Sequence, residues 1–273
     1  MMGRRLLAYP YHLWTLLFTV IPLALIVYFA FTGRDTAAFT LDNLRQAAQP
    51  VYLGVLWHSV WLAGLSTFLC LLVGYPMAMI LAKSGVRYRR MVAMLIVVPM
   101  WMNFLLRTYA WMTLLERNGA VNALLTFLGL PAIRILYTDY AVLLGMVYNF
   151  LPFMILPIYS VLMKMDKSLL EAAEDLGADA WTSFRRVTFP LSLPGVYAGT
   201  LMVFMPAVTT FVISRLLGGG QYMLAGNVIE QQFLAIGNWN FGSALSVLMM
   251  VLILLSMVGL SRYDKDGSGG LFL

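Results

Sequence analysis

The residues that could do chemistry gather in one polar stretch, Asp166 to Gly195. It reads D-K-S-L-L-E-A-A-E-D-L-G-A-D-A-W-T-S-F-R-R-V-T-F-P-L-S-L-P-G. Asp166, Glu171, Glu174, Asp175 and Asp179 lie within it, and Lys164, Lys167, Arg185 and Arg186 lie at or near its ends. These types at this spacing offer docking, not bond-making. No Gly-Lys dipeptide occurs, so there is no phosphate-binding loop of the Walker type, and neither H-E-x-x-H nor G-x-S-x-G is present. Gly267-Ser268-Gly269 reads as a flexible linker rather than a nucleophile site. His12 and His58 are far apart and Cys70 is the sole cysteine, which excludes a histidine-rich metal site and an intrachain disulfide. The chain is expected to bind no cofactor, no metal and no nucleic acid, and to catalyse no reaction itself.

A second set of residues lies in apolar surroundings. Arg107 and Arg215 are the only charges within the apolar runs. Both are read as lying near the outer ends of their spans, where a long side chain snorkels to the interface. The absence of a deep Asp or Glu counts against a proton- or sodium-coupled carrier. The runs carry aromatics and amides instead. Trp101, Asn103, Tyr148, Asn149, Thr209 and Thr210 are candidate pathway-lining residues, because a cationic solute can cross along aromatic faces by cation–π attraction. Interfacial belts and helix-packing glue account for the same residue types, and for Trp111 and Tyr140 at span ends that reading is preferred.

The elements that position these residues follow from local pattern. Asp166 or Ser168 can cap a first short helix, and Ser168 with Glu171 fits a capping box. Leu169, Leu170, Ala172, Ala173 and Leu176 form a small apolar stripe at helical spacing. Gly177 is placed just past the helix end in the left-handed conformation. Asp179 caps a second helix to about Thr188, with Arg185 and Arg186 in its last turn, where the helix dipole favours cations. Pro190 is expected to stop it, and Pro194-Gly195 to start the next element.

On both sides lie runs long enough to cross a bilayer. The 273 residues are 61% hydrophobic and 11% charged, against roughly 25% charged in soluble domains. The fold class is therefore an all-α polytopic membrane protein. Six spans are expected, at 11–32, 55–82, 91–115, 140–163, 194–217 and 241–260. Together they form one transmembrane domain over 11–260, interrupted by the polar segment at 164–193, with a short N-terminus at 1–10 and a loose tail at 261–273. The first run lacks a small-residue cleavage site and is read as retained. A short amphipathic helix is expected near 121–128. Gly195 and Gly199 offer a G-x-x-x-G face for close helix contact. Gly218-Gly219-Gly220 opens an outer loop that is expected to contribute an external gate or a contact with a binding protein.

Orientation follows from the basic residues. Arg4, Arg5, Lys83, Arg87, Arg89, Arg90, Lys164, Lys167, Arg185, Arg186, Arg262 and Lys265 fall on one side, against Arg34, Arg45, Arg117 and Arg134 on the other. The richer side is cytoplasmic, which puts both termini and the polar segment there.

Glu171-Ala172-Ala173, Gly177 and Val187-Thr188-Phe189-Pro190 together resemble the E-A-A…G…I-x-L-P motif of ABC-importer permeases. Val187 for Ile and Phe189 for Leu depart mildly and stay apolar. The resemblance implies a MetI-like fold whose coupling helices dock on a cytoplasmic ATPase. Glu171, Ala172, Ala173, Gly177 and Pro190 would be the coupling residues. From Phe39 to Met250 the chain also resembles the spermidine/putrescine branch of the family. Matching stretches are Phe39-Thr40-Leu41-Asp42-Asn43, Gly74-Tyr75-Pro76, Arg107-Thr108-Tyr109-Ala110-Trp111, Leu151-Pro152-Phe153-Met154 and Leu216-Leu217-Gly218-Gly219-Gly220. The resemblance implies an inner-membrane permease with a second, similar permease subunit, two copies of an ATPase that binds ATP and Mg, and an external solute-binding protein. Two other classes fit the composition: a stand-alone carrier or channel, and an importer permease for another solute such as an anion.

Overall fold

The computed structural model describes residues 9–34, 38–220 and 223–261. The expected N-terminal segment through residue 8 and the tail beyond Ser261 lie outside them. Among the described residues the chain is helical, with one isolated antiparallel bridge between Thr32 and Phe39.

Among the described residues five helices are long and apolar enough to cross a membrane: α1 (Pro10–Ala30), α3 (Pro50–Lys83), α7 (Asp139–Lys164), α9 (Ala180–Thr209) and α12 (Trp239–Ser261). Between them lie α2 (Asp42–Ala47), α4 (Val86–Trp101), α5 (Phe104–Leu115), α6 (Ala120–Phe127), α8 (Ser168–Asp175), α10 (Val212–Leu217) and α11 (Ala225–Gln231). The third span, expected as one helix over 91–115, is broken instead. Its halves meet at an angle of 96° around Met102-Asn103. Pro99 already weakens the hydrogen-bond ladder there, and Asn103 restarts it: its side chain accepts from the Leu105 N–H at 2.8 Å as an N-cap. Counted with this bent pair, the spans number six. The amphipathic helix expected near 121–128 is α6.

Two more expectations need correction. Pro190 does not stop a helix, and the span does not begin at Pro194: α9 runs unbroken from Ala180 to Thr209. A wide turn at Phe184–Thr188 absorbs the proline, with the Phe189 N–H bonded five residues back to the Phe184 carbonyl. Arg185 and Arg186 therefore sit inside a continuous helix rather than at a C-terminus, and the dipole argument for them falls away. The same device recurs in α1, where a wide turn at Leu16–Val20 precedes Pro22. At its far end the fifth span stops at Thr209, bends through Thr210 and Phe211, and resumes as α10.

The chain forms two compact units, Met1–Trp57 with Ala225–Leu255, and His58–Leu224 with Ser256–Leu273. The first has a core of Ala30, Ala47, Val228, Phe241, Ala244 and Leu245, with Tyr52 edge-on to Phe241. The last carbonyls of α1 would otherwise be orphaned. Asn43 donates to the Thr32 and Ala30 carbonyls at 2.9 and 3.3 Å, and Asn240 donates to those of Thr32 and Phe29 at 2.7 and 3.2 Å.

The second unit is built on the packing of α7 against α9. The small-residue face expected of Gly195 and Gly199 is what permits it. A Cβ on Gly195 would stand 2.9 Å from the Ile158 Cα, and one on Gly199 would stand 2.8 Å from the Met154 Sδ. Gly74 brings α3 close to Met154, whose Cγ would stand 3.1 Å from a Cβ there, and Gly145 lets α10 approach more tightly at Ile213 and Leu217. α5 packs on both α7 and α10.

Candidate functional site

The polar hairpin is built by a short set of backbone requirements. The Ser168 N–H donates to Asp166 Oδ1 at 3.0 Å, so the Asp166 carboxylate closes the start of α8 from one residue before its N-cap position, Lys167. Ser168 is then already the first helical residue, and the capping box with Glu171, which needs Ser168 at the cap, does not form. At the far end Gly177 has φ +80°. Its N–H bonds to the Glu174 carbonyl at 2.8 Å and the Ala178 N–H reaches back to Ala173 at 3.0 Å. This pair of bonds is a Schellman turn. Asp179 then accepts from the Thr182 N–H at 3.2 Å and caps α9. Hydrogen bonds hold both exposed carboxyls below the usual carboxylate range: from the Ser168 backbone for Asp166, and from the Thr182 side chain and then its backbone for Asp179. The two caps therefore stay ionised.

The hairpin presents apolar surface on α8 and on the first turn of α9. Leu169, Ala172 and Leu176 share one face of α8 by helical spacing. Leu176 is 89% exposed, and Trp181 at the start of α9 is 66% exposed. Glu171 stands exposed in the first turn of α8, and Pro190 is exposed just past the wide turn.

Below the hairpin lies a contact the sequence did not announce. Tyr75 on α3 is buried, and its ring packs against Phe184 and Phe189 at 5.9 and 5.8 Å between centroids. Its hydroxyl lies 2.7 Å from the buried Ser192 Oγ. Ser192 in turn donates to the Phe189 carbonyl at 2.8 Å, which makes Tyr75 the donor between the two hydroxyls. The sequence set Tyr75 in an apolar run and Ser192 in the polar stretch, and nothing along the chain paired them; only their polar tips call for partners.

The candidate pathway residues are distributed over α4, the start of α5, α7 and the end of α9. Trp101 ends α4 and is 82% exposed. Asn103 is committed to capping α5. Tyr148 meets Trp111 edge-on at 5.2 Å, joining α7 to α5. Asn149 is buried; its amide donates to the Gly145 carbonyl at 2.8 Å, while its Oδ1 has no protein partner. Thr209 is exposed at the end of α9 and bonds back to the Met205 carbonyl, and Thr210 is buried at the bend into α10.

The two broken elements do meet, since α5 and α10 pack together. Irregular backbone at membrane depth is tolerated where protein or a cavity receives it. Here a cavity of about 380 Å³ is lined by Met112, Tyr137, Arg215, Leu216 and Gly219. Tyr137 has φ +66°, and its N–H bonds to the Leu217 carbonyl at 2.8 Å. Gly219, at φ +62°, has no room for a Cβ beside the Tyr137 ring. The break also revises Arg107. It lies in the first turn of α5 with its guanidinium 6.0 Å from the Phe104 ring, rather than near the end of a straight span.

Comparison with known proteins agrees with this architecture. Residues 74–264 match the family described as binding-protein-dependent transport system inner membrane component. The chain is 42% identical over 259 residues to the spermidine/putrescine transport system permease protein PotB of Haemophilus influenzae, covering 92% of this chain and 91% of that protein. It is 42% identical over 247 residues to PotB of Escherichia coli, covering 88% and 90%. Identity falls to 31% with the inner membrane ABC transporter permease protein YdcU of Escherichia coli, covering 85% and 78%. A bacterial ABC transporter involved in the import of the acidic polysaccharide alginate has the same fold, with a TM-score of 0.82 at 18% identity over 98% of both chains. A multi-pass all-α membrane protein with this match over most of its length belongs to the binding-protein-dependent transport system inner membrane components, permeases rather than enzymes.

Proposed function

We propose that this chain is one of two permease subunits of an ATP-driven importer for polyamines of the spermidine/putrescine class. Its similarity to two PotB proteins at 42% identity over nearly their full length carries the solute assignment. The exposed apolar face of the hairpin carries the coupling assignment, because apolar side chains displayed on α8 and on the first turn of α9 fit a soluble partner. In this reading two copies of a cytoplasmic ATPase bind and hydrolyse ATP with Mg, and Ala172, Ala173, Leu176 and Trp181 seat the hairpin on one of them. Glu171 offers a carboxylate at the rim, Gly177 sets the angle between α8 and α9, and Pro190 lies where that angle passes into the span. The second, similar permease subunit supplies the other half of the pathway. An external solute-binding protein delivers the polyamine, and both termini face the cytoplasm.

Uptake decides the matter. Proteoliposomes carrying this chain, its second permease and its ATPase should accumulate labelled spermidine or putrescine only with internal ATP and external binding protein. Uptake that persists without ATP would show a stand-alone carrier, and ATP-driven uptake of other solutes alone would overturn the polyamine assignment.

A further inference from the structure

We infer that Tyr75 is a positioning residue for coupling, acting through the wide turn of α9; this rests on the coupling role proposed for the hairpin. Phe184 and Phe189 are five residues apart. On a regular helix they would point about 140° away from each other. In the wide turn they come onto one side, with ring centroids 6.0 Å apart. Tyr75 packs on both rings at once and donates its hydroxyl to Ser192, beyond the turn. Its contacts therefore read the register of the turn. If Phe184–Thr188 relaxed to a regular helix, the two phenylalanines would separate and Tyr75 would keep at most one of them. All residues before the turn would meanwhile rotate by about 100° and shift by about 1.5 Å, the step of one residue. That rotation swings Asp179, Gly177 and α8, the elements that meet the ATPase, relative to the span. Trp181, whose ring lies tilted against Phe184 at 5.5 Å between centroids, extends the aromatic contact to the exposed start of α9. Tyr75 thus holds the one register in which displacement of the hairpin is transmitted to α9 as a rigid lever. A ring alone would fill the space; the buried hydroxyl between two helices adds a direction.

The test uses the complete transporter in proteoliposomes, with labelled spermidine as probe and ATP hydrolysis measured in the same vesicles. Tyr75→Phe keeps the ring and removes the hydroxyl; Ser192→Ala removes the acceptor; Tyr75→Leu removes both ring and hydroxyl. Spermidine imported per ATP should fall about fivefold in Tyr75→Phe and in Ser192→Ala, the factor expected for one buried hydrogen bond, with no further loss in the double variant. Tyr75→Leu should fall further. Hydrogen exchange over 184–189 should quicken in the same order, while the amount of ATPase co-purified stays constant. An unchanged ratio in both Tyr75→Phe and Tyr75→Leu overturns the proposal, as does a fall that merely tracks loss of assembled complex. Gly177→Val is run alongside: if it lowers the ratio and the Tyr75 variants do not, only Tyr75 is misassigned, whereas if it too has no effect, the hairpin is not the coupling element.

Discussion

A Cβ on Gly195 would stand 2.9 Å from the Cα of Ile158, so α9 lies against the backbone of α7 and not merely against its side chains. At Gly199 the nearest atom is the Met154 Sδ, at 2.8 Å, and the Met154 backbone stands farther off, at 3.2 Å and beyond. A methionine can swing aside; a backbone cannot. Gly195→Ala should therefore lower the melting temperature of the detergent-purified protein clearly more than Gly199→Ala. Equal shifts would show that the two helices slide to relieve the contact.

Gly177 is tested by strain without crowding. Nothing lies within 4 Å of a Cβ built on it, so only its φ of +80° resists substitution. Gly177→Ala should cost about 1 kcal/mol, and a β-branched side chain more. Gly177→Val is expected to leave insertion and ATPase hydrolysis in place while solute uptake is lost. Wild-type uptake and hydrolysis together would remove this turn from coupling.

Gly219 and Gly220 separate strain from crowding in the outer loop. Both have positive φ, at +62° and +73°, but only Gly219 faces the Tyr137 ring, and the space beside Gly220 is open. Gly219→Ala should lower the unfolding temperature more than Gly220→Ala, and Tyr137→Ala should recover part of the difference. No recovery in the double variant would mean that the ring is not the obstacle.

The caps of the hairpin set its pH range. Asp166 and Asp179 have depressed native pKa values from hydrogen bonds to their charged forms. Their contribution is fully present above the unfolded carboxylate value of about 3.9 and is lost as pH falls through the lower native value. Hydrogen exchange across 176–184 should therefore be unaffected, beyond its intrinsic pH dependence, between neutral and mildly acidic pH. Asp179→Ala should speed it throughout that pH range, and Asp179→Asn, which still caps, should not. Extra protection lost well above the carboxylate range would contradict this assignment.

Topology is checked by labelling. In a chain with Cys70 replaced by Ala, single cysteines at Glu174 and Arg134 should react with an impermeant reagent from opposite faces of the membrane, Glu174 from the cytoplasm. Reaction from the same face would invert the reading of the basic residues.

Much of this protein is legible along the chain because its causes are local. Bilayer thickness selects apolar runs of a certain length, and the left-handed requirement at a helix end selects Gly177. The carboxylates Asp166 and Asp179 each satisfy an N–H two or three residues away. All of these act within one turn or one span. Proline rules are local too, yet they failed at Pro190. A helix can widen by one residue instead of stopping, and whether it does depends on what Phe184 and Phe189 then touch, which is Tyr75, more than a hundred residues earlier. The break at Met102-Asn103 was half visible, with Pro99 before it and a good cap at Asn103, but the 96° bend needs surrounding protein to receive the turned half. The clamp of Asn240 on Thr32, 208 residues apart, had no signature at all, since an amide finds orphan carbonyls only after two distant helices have met. Sequence determines elements whose hydrogen bonds close on themselves; tertiary structure decides those that must be completed by a neighbour.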